Sequence, residues 1–299
     1  MAEPAPVVVP VAVAAGSGAT AVLDGPDGAP VLVLGNSLGT STAVWDSQVP
    51  EFRTRFRLLR YELPGHGGTQ PTPGAYTIGG LAAGVLRLLD SLQIERAAYC
   101  GISIGGMIGM RLAALAPDRI SALGLVCTSA YLPPADGWQA RAAQVRAAGM
   151  ASISAAVLGR WFTPAFATLA PEVIERFAAE FERTDPVGYA GCCEAIAVMD
   201  LRPALSAITA PTLVLAGAED SATPPEHGAA IAGLVGAGRL EVIPGAAHLA
   251  TVQAPRPVTA ALLEHLCAAT GSADRASPGV SMQGNDDFCA QSEQPRPGA

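Results

Sequence analysis

Gly101-Ile102-Ser103-Ile104-Gly105 is the stretch on which the fold turns. The run Ala97-Ala98-Tyr99-Cys100 before it reads as a buried strand. The run from Met107 to Leu115 after it reads as a helix, closed by Pro117. Between the two, Ser103 would occupy a tight, strained corner at a helix N-terminus. Glycines two residues away on either side remove side chains that would otherwise collide there. A serine held this way is a candidate nucleophile.

The bare pattern is cheap, since composition alone supplies about 0.2 chance matches to Gly-x-Ser-x-Gly in this chain. A second match, Gly35-Asn36-Ser37-Leu38-Gly39, follows the apolar run Val31-Leu32-Val33-Leu34. After it comes Thr40-Ser41-Thr42-Ala43-Val44-Trp45, a hydroxyl-rich loop with no immediate helix. A nucleophile there would lack both the helix dipole and the sharp elbow. Ser103 is therefore assigned as nucleophile and Ser37 to a neighbouring loop.

Working outward, short β-branched runs alternate with alanine- and leucine-rich stretches. Strands are expected at Thr20–Leu23, Val31–Leu34, Arg57–Tyr61, Ala97–Cys100, Ala122–Cys127, Thr212–Ala216 and Leu240–Ile243. Helices are expected at Asp46–Thr54, Ile78–Leu92, Gly106–Leu115, Pro225–Leu234 and Pro257–Ala268. This alternation predicts an α/β fold, a mostly parallel central sheet with helices on both faces. It stops between about Pro133 and Leu205, where four helical patterns follow one another: Arg141–Gly149, Ile153–Trp161, Pro171–Arg183 and Pro186–Met199. The chain thus divides into a core (1–132), a helical cap insertion (133–205) and a second core part (206–270). A Ser-, Gly- and Pro-rich tail (271–299) is expected to be disordered.

Composition narrows the class. At 299 residues, half hydrophobic and 15% charged, the chain suits a sheet covered on both faces. A net charge of -8 argues against nucleic acid and anionic membrane as partners. No apolar run is long enough to span a bilayer. Val7–Val13 is apolar, but no basic residue precedes it and Pro10 interrupts it, so a signal peptide is not expected. The six cysteines show no paired spacing, and with four histidines a zinc site is not expected. Reduced thiols in a cytoplasmic protein are the resulting expectation.

A serine hydroxyl needs a base within hydrogen-bond reach, itself oriented by a third group. Asp220, in Gly217-Ala218-Glu219-Asp220, follows the strand at Thr212. His248, in Pro244-Gly245-Ala246-Ala247-His248, follows the strand at Leu240. Both fall at carboxyl ends of strands, the edge where open sheets build their sites and where Ser103 also lies. Glu219 is the alternative acid. His66, in Pro64-Gly65-His66-Gly67-Gly68, competes as base but precedes the nucleophile and suits a loop-shaping role. His227 starts a helix, and His265, beside Glu264, is expected at the surface. For a tetrahedral oxyanion, the backbone N–H groups of Ile104 and Leu38 are the expected donors, and Ser37 either hydrogen-bonds there as well or only caps its turn.

At this point the residues carry a resemblance. Gly35-Asn36-Ser37-Leu38-Gly39-Thr40, Leu63-Pro64-Gly65-His66-Gly67-Gly68, Gly101 to Gly106 and Asp220-Ser221-Ala222-Thr223-Pro224-Pro225 resemble 3-oxoadipate enol-lactonases of the α/β-hydrolase superfamily. Arg160-Trp161-Phe162-Thr163 and Gly188-Tyr189-Ala190-Gly191-Cys192-Cys193-Glu194-Ala195 resemble that family more particularly. The likeness runs from about Thr20 to Ala268. It implies a cofactor-free serine hydrolase of the β-ketoadipate pathway. The substrate would be a small anionic lactone, opened to 3-oxoadipate. Glu62 stands where Asp is expected, and the tail is too short for the decarboxylase domain some relatives carry.

The substrate's carboxylate calls for a cation in an apolar pocket, and Arg141 or Arg160 would supply it, with Trp138 and Trp161 lining the site. The competing readings are an arginine paired with a cap glutamate and tryptophans that pack the cap. Two other functions compete: a general carboxylesterase or carbon–carbon hydrolase using the same three residues, and a non-catalytic ligand-binding protein of this fold. Dehalogenases and epoxide hydrolases are disfavoured because they use aspartate where Ser103 stands.

Overall fold

The computed structural model describes residues 7–11, 19–72 and 74–271. The tail expected from Gly271 lies outside these residues beyond 271. The described strands are β1 (Val7–Val11), β2 (Ala19–Asp24), β3 (Val31–Gly35), β4 (Arg57–Tyr61), β5 (Ala97–Ile102), β6 (Ile120–Val126), β7 (Thr212–Gly217) and β8 (Gly238–Ile243). The helices are α1 (Val49–Phe52), α2 (Ile78–Ser91), α3 (Ile104–Leu115), α4 (Ala135–Ala148), α5 (Ser154–Trp161), α6 (Pro164–Leu169), α7 (Pro171–Glu182), α8 (Pro186–Ala197), α9 (Pro225–Leu234), α10 (Ala250–Gln253) and α11 (Pro255–Thr270).

All the strands form one sheet in the order β1-β2-β4-β3-β5-β6-β7-β8. From β4 to β8 the pairing is parallel, while β1 and β2 are added antiparallel at one end. Every residue of β5 and β7 is buried, as a sheet covered on both faces requires. Helix α3 lies against β3, β5 and β6, α11 packs on β6, and α9 packs on β7 and β8. The chain moves from β3 outward to β4, then crosses back to β5 on the other side of β3. That reversal opens a crevice at the carboxyl ends of β3 and β5, where α/β sheets bind ligands.

Each of the strands expected from the sequence is present. β1 is additional: its valine-rich run pairs with β2, and Pro10 is tolerated because β1 is an edge strand whose missing N–H breaks no ladder. The helix expected over Asp46–Thr54 is instead a 3-10 turn, Thr42–Trp45, followed by the short α1. Pro50 explains the break. It has no N–H to donate and would clash with the carbonyl of residue 46, so a helix can begin beside it but not run through it. Between β6 and β7 every regular element is helical, from α4 to α8 and a final 3-10 turn. No helix among the described residues is long and apolar enough to cross a membrane.

Candidate active site

The register of the central strands sets up the site. Gly35 of β3 pairs with Gly101 of β5, so the two Gly-x-Ser-x-Gly loops leave adjacent strands at the same level. The elbow at Ser103 is strained, with φ 56° and ψ −120°, a region costly to any residue with a side chain. The surroundings hold it there: the Ser103 N–H donates to Val126 O (2.9 Å), and Thr128 Oγ1 donates to Ser103 O (2.6 Å). The glycines are sterically required. A Cβ on Gly101 would lie 2.3 Å from the backbone of Gly105, and one on Gly105 would lie 2.5 Å from Gly35. Without those side chains, the Gly105 N–H reaches Asn36 O at 3.0 Å and ties the elbow to the neighbouring loop.

Ser103, His248 and Asp220 form one hydrogen-bonded line. His248 Nε2 lies 2.9 Å from Ser103 Oγ, and Nδ1 lies 2.8 Å from Asp220 Oδ2. All three residues are buried. Asp220 Oδ1 accepts the N–H groups of Ala222 (2.8 Å) and Thr223 (2.9 Å), while Oδ2 also accepts Thr223 Oγ1 (2.7 Å). Burial works to raise the Asp220 pKa, but the imidazole beside it and the bonds from His248 and Thr223 win. They hold the carboxyl well below its usual range. Glu219, the alternative acid, is exposed.

The remaining histidines do not line the cavity above Ser103. His66 is fully buried in its own loop, its Nδ1 2.9 Å from Pro64 O, and burial lowers its pKa to about 4. His265 is not the surface residue expected from its position beside Glu264. It turns inward to the carbonyls of Leu123 (3.1 Å) and Pro211 (3.2 Å), tying α11 to β6 and to the residue just before β7. Glu62, standing where Asp is expected, is accommodated by the glycine loop after it. A Cβ on Gly67 would lie 2.2 Å from the Glu62 carboxyl carbon. The longer side chain reaches Thr42 N (2.9 Å) and Asn36 Nδ2 (3.1 Å), and burial raises its pKa to about 7.

A cavity of about 280 Å³ opens above Ser103 and His248. Ser37 and Leu38 form its floor beside them, and Trp138, Arg141, Arg160, Trp161 and Tyr189 line it from α4, α5 and α8. The Arg141 guanidinium lies over the Trp138 ring, 4.6 Å from its centroid. Burial first, and then the charge of Arg141, lower the Arg160 pKa. Neither arginine has a carboxylate within ion-pair distance among the described residues. The arginine that pairs with a glutamate on these helices is Arg146, with Glu194. The tryptophans serve both expected purposes. Trp161 lines the cavity and also meets Phe177 and Phe181 edge-on, while Trp138 Nε1 donates to Leu132 O (3.1 Å). The N–H groups of Leu38 and Ile104 donate to no acceptor among the described residues.

Sequence reasoning passed over two residues. Thr223 holds the acid, and its signal was available: Asp followed three residues later by Thr before Pro is the pattern of a carboxylate accepting local backbone N–H groups. Tyr189 lines the cavity, and nothing in the helical period of α8 marks it.

A hydrogen-bonded serine on a strand-to-helix elbow, with histidine and acid at later strand ends of a mostly parallel sheet, defines a class. Residues 30–255 match the model of the alpha/beta hydrolase fold family, and the chain belongs to that family. It is 38% identical to 3-oxoadipate enol-lactonase 2 of Acinetobacter baylyi, over 76% of this chain and 85% of that protein. Among solved structures, it is similar to the enol-lactonase from Burkholderia xenovorans, at 37% identity and a TM-score of 0.83, covering 86% of this chain and 99% of that one. It is equally similar to a hydrolase from Pseudomonas aeruginosa, at 40% identity and a TM-score of 0.83, over 89% and 99% of the two chains.

Proposed function

We infer that this chain is a serine hydrolase that opens 3-oxoadipate enol-lactone to 3-oxoadipate. The observation that carries the reading is the Ser103–His248–Asp220 line beneath a cavity lined by two arginines with no carboxylate partner among the described residues. The similarity to enol-lactonases supports it. The helices of 133–205 serve as a cap that supplies the anion site, and a cytoplasmic setting suits a small catabolic acid.

In this mechanism Ser103 Oγ attacks the lactone carbonyl while His248 Nε2 takes its proton. Asp220 holds the imidazole in the tautomer that accepts, and stabilises the cation that forms. The N–H groups of Leu38 and Ile104 receive the charge that develops on the carbonyl oxygen. One such donor is worth roughly 3 kcal/mol of barrier. Collapse breaks the ring C–O bond as His248 Nε2 returns its proton to the leaving oxygen, and leaves an acyl-enzyme carrying the whole carbon skeleton, with the imidazole neutral again. The leaving oxygen is therefore still tethered, at a high effective concentration for reclosure. An enol removes that competitor by becoming a ketone, which no longer attacks. A water deprotonated by His248 then releases the dicarboxylate. Throughout, Arg141 and Arg160 hold the substrate's own carboxylate.

The test follows the loss of ultraviolet absorbance when purified protein meets the enol-lactone. Turnover that disappears in Ser103→Ala is expected; no turnover in the native chain, or full turnover in the variant, overturns the reading. Strong preference for long neutral p-nitrophenyl esters would replace it with a general carboxylesterase.

A further inference from the structure

We propose that the Ser37 hydroxyl is a third donor to the oxyanion, a side-chain partner to the two backbone N–H groups. The proposal rests on the hydrolase reading above and adds a residue to its chemistry. Ser37 opens the turn Ser37-Leu38-Gly39-Thr40. Its carbonyl is fully engaged, accepting both the Thr40 N–H (3.1 Å) and Thr40 Oγ1 (3.0 Å). Its hydroxyl is not. Ser37 is 1% exposed, and its Oγ finds no hydrogen-bond partner among the described residues.

A serine placed to cap its own turn bonds a backbone N–H two or three residues on. Ser37 Oγ makes no such bond, so a capping role leaves its hydroxyl unexplained. A buried hydroxyl without a partner carries its full desolvation cost, and native structures seldom keep one without a use. The location supplies the use. Ser37 lines the same cavity as Ser103 and His248, and it immediately precedes Leu38, which lines it too and whose N–H has no acceptor among the described residues. The neighbouring Asn36 also has a buried atom without a partner among the described residues, but that atom, Oδ1, can only accept a hydrogen bond. Its Nδ2 is committed to Tyr61 O (2.9 Å) and Glu62 Oε2, and it does not line the cavity.

In the ground state the carbonyl oxygen is a weak acceptor. As Ser103 Oγ bonds to the carbonyl carbon, a full negative charge moves onto that oxygen, and the Ser37 O–H bond to it strengthens. No proton leaves Ser37. The hydroxyl donates a hydrogen bond through attack and releases it when the carbonyl re-forms. An interaction stronger in the transition state than in the ground state raises kcat and leaves KM alone.

The experiment compares native protein with Ser37→Ala on the enol-lactone, together with affinities for two probes. One is a boronic acid analogue that forms a tetrahedral adduct on Ser103; the other is the lactam analogue of the substrate, a ground-state mimic. Ser37→Ala is expected to lower kcat about 10- to 100-fold with KM within about twofold. The boronate should weaken by the same factor and the lactam by less than about twofold. Ser37→Gly is expected to behave alike and replaces the alanine variant should that one fail to fold. Thr40→Val loosens the turn but keeps the hydroxyl, so it should preserve the ratio of boronate to lactam affinity. Unchanged kcat in Ser37→Ala overturns the proposal, as does lactam affinity falling in step with boronate affinity. Turnover surviving in Ser103→Ala would instead overturn the hydrolase reading itself.

Discussion

Removing the two cavity arginines is the sharpest probe of substrate choice. Arg141 and Arg160 are half-buried, line one cavity from two helices, and lack carboxylate partners among the described residues. A hydrogen bond to a charged group contributes roughly 1.5–3 kcal/mol. The cavity is open to water, which screens the pair, so the lower part of that range applies: about 1.5–2 kcal/mol for each arginine. At about 1.4 kcal/mol for each factor of ten, Arg141→Ala and Arg160→Ala should each lower kcat/KM for the enol-lactone roughly 10- to 30-fold. The double variant should lose on the order of 10²- to 10³-fold. The loss belongs in KM, because the arginines hold a carboxylate that does not react, so kcat should stay within about threefold. The assay is steady-state turnover of the lactone beside a small neutral ester, p-nitrophenyl acetate, whose kcat/KM should move less than about threefold. Raising the ionic strength should raise the lactone KM in native protein more than in the double variant. If neutral ester and lactone fall together, the arginines only shape the wall, and the reasoning fails. It fails equally if the double variant keeps its lactone KM.

Two further outcomes follow from the same geometry. Gly105→Ala would place a methyl 2.5 Å from the Gly35 backbone, which cannot swing aside as a side chain would; denaturant unfolding should show a loss of about 1–3 kcal/mol or more, with kcat falling on the order of 10²-fold, and a stable, fully active variant would contradict the packing. Glu62 keeps its proton to about pH 7 when folded against 4.5 ordinarily, so rising pH destabilises the fold across that window, whereas His66 stays neutral down to about pH 4 against 6.5, so rising pH stabilises it there. Each swing is about 3 kcal/mol and they oppose one another, so Glu62→Gln should gain stability from pH 4 to 6.5 and His66→Asn should lose it from pH 4.5 to 7; denaturation curves of the same slope in both variants would refute this.

What the sequence reveals here is what short-range geometry controls. The elbow at Ser103 is legible because its strand, its glycines and its helix are contiguous, and each is needed for the turn. Asp220 and His248 are legible because each directly follows an apolar strand. The strand order is not legible in the same way. The crossing that sends β5 to the far side of β3 depends on contacts between distant segments, and no local run announces it. His265 illustrates the limit for single side chains: the polar neighbour Glu264 suggests solvent, yet the carbonyls that hold the ring come from residues 123 and 211. The two arginines show the same limit from the other side. Chemistry called for a cation, but only packing puts both Arg141 and Arg160 on one cavity while leaving Arg146 to Glu194.

The loop that supplies Leu38 is held by three separate parts of the chain, and this bears on how anion binding and carbonyl activation stay in register. From the core, Glu62 accepts Thr42 N–H and Asn36 Nδ2; from α3, the Gly105 N–H reaches Asn36 O. From α7, Glu180 accepts the N–H of Ser41. Glu180 therefore anchors the loop that carries Leu38 from a helix that lies between β6 and β7. The same helix carries Phe177 and Phe181, which meet Trp161 edge-on, and Trp161 adjoins Arg160 on α5. Aromatic contacts of this kind fix rings at set distances and resist sliding, because close-packed interiors have little free volume. One packed cluster thus spans from the residue that would hold the substrate's carboxylate to the residue that pins the Leu38 loop. A displacement of about 1 Å between substrate and donors is enough to cost on the order of 100-fold in rate. In the proposed mechanism, an anion site and a loop anchor on the same packed cluster would limit that displacement.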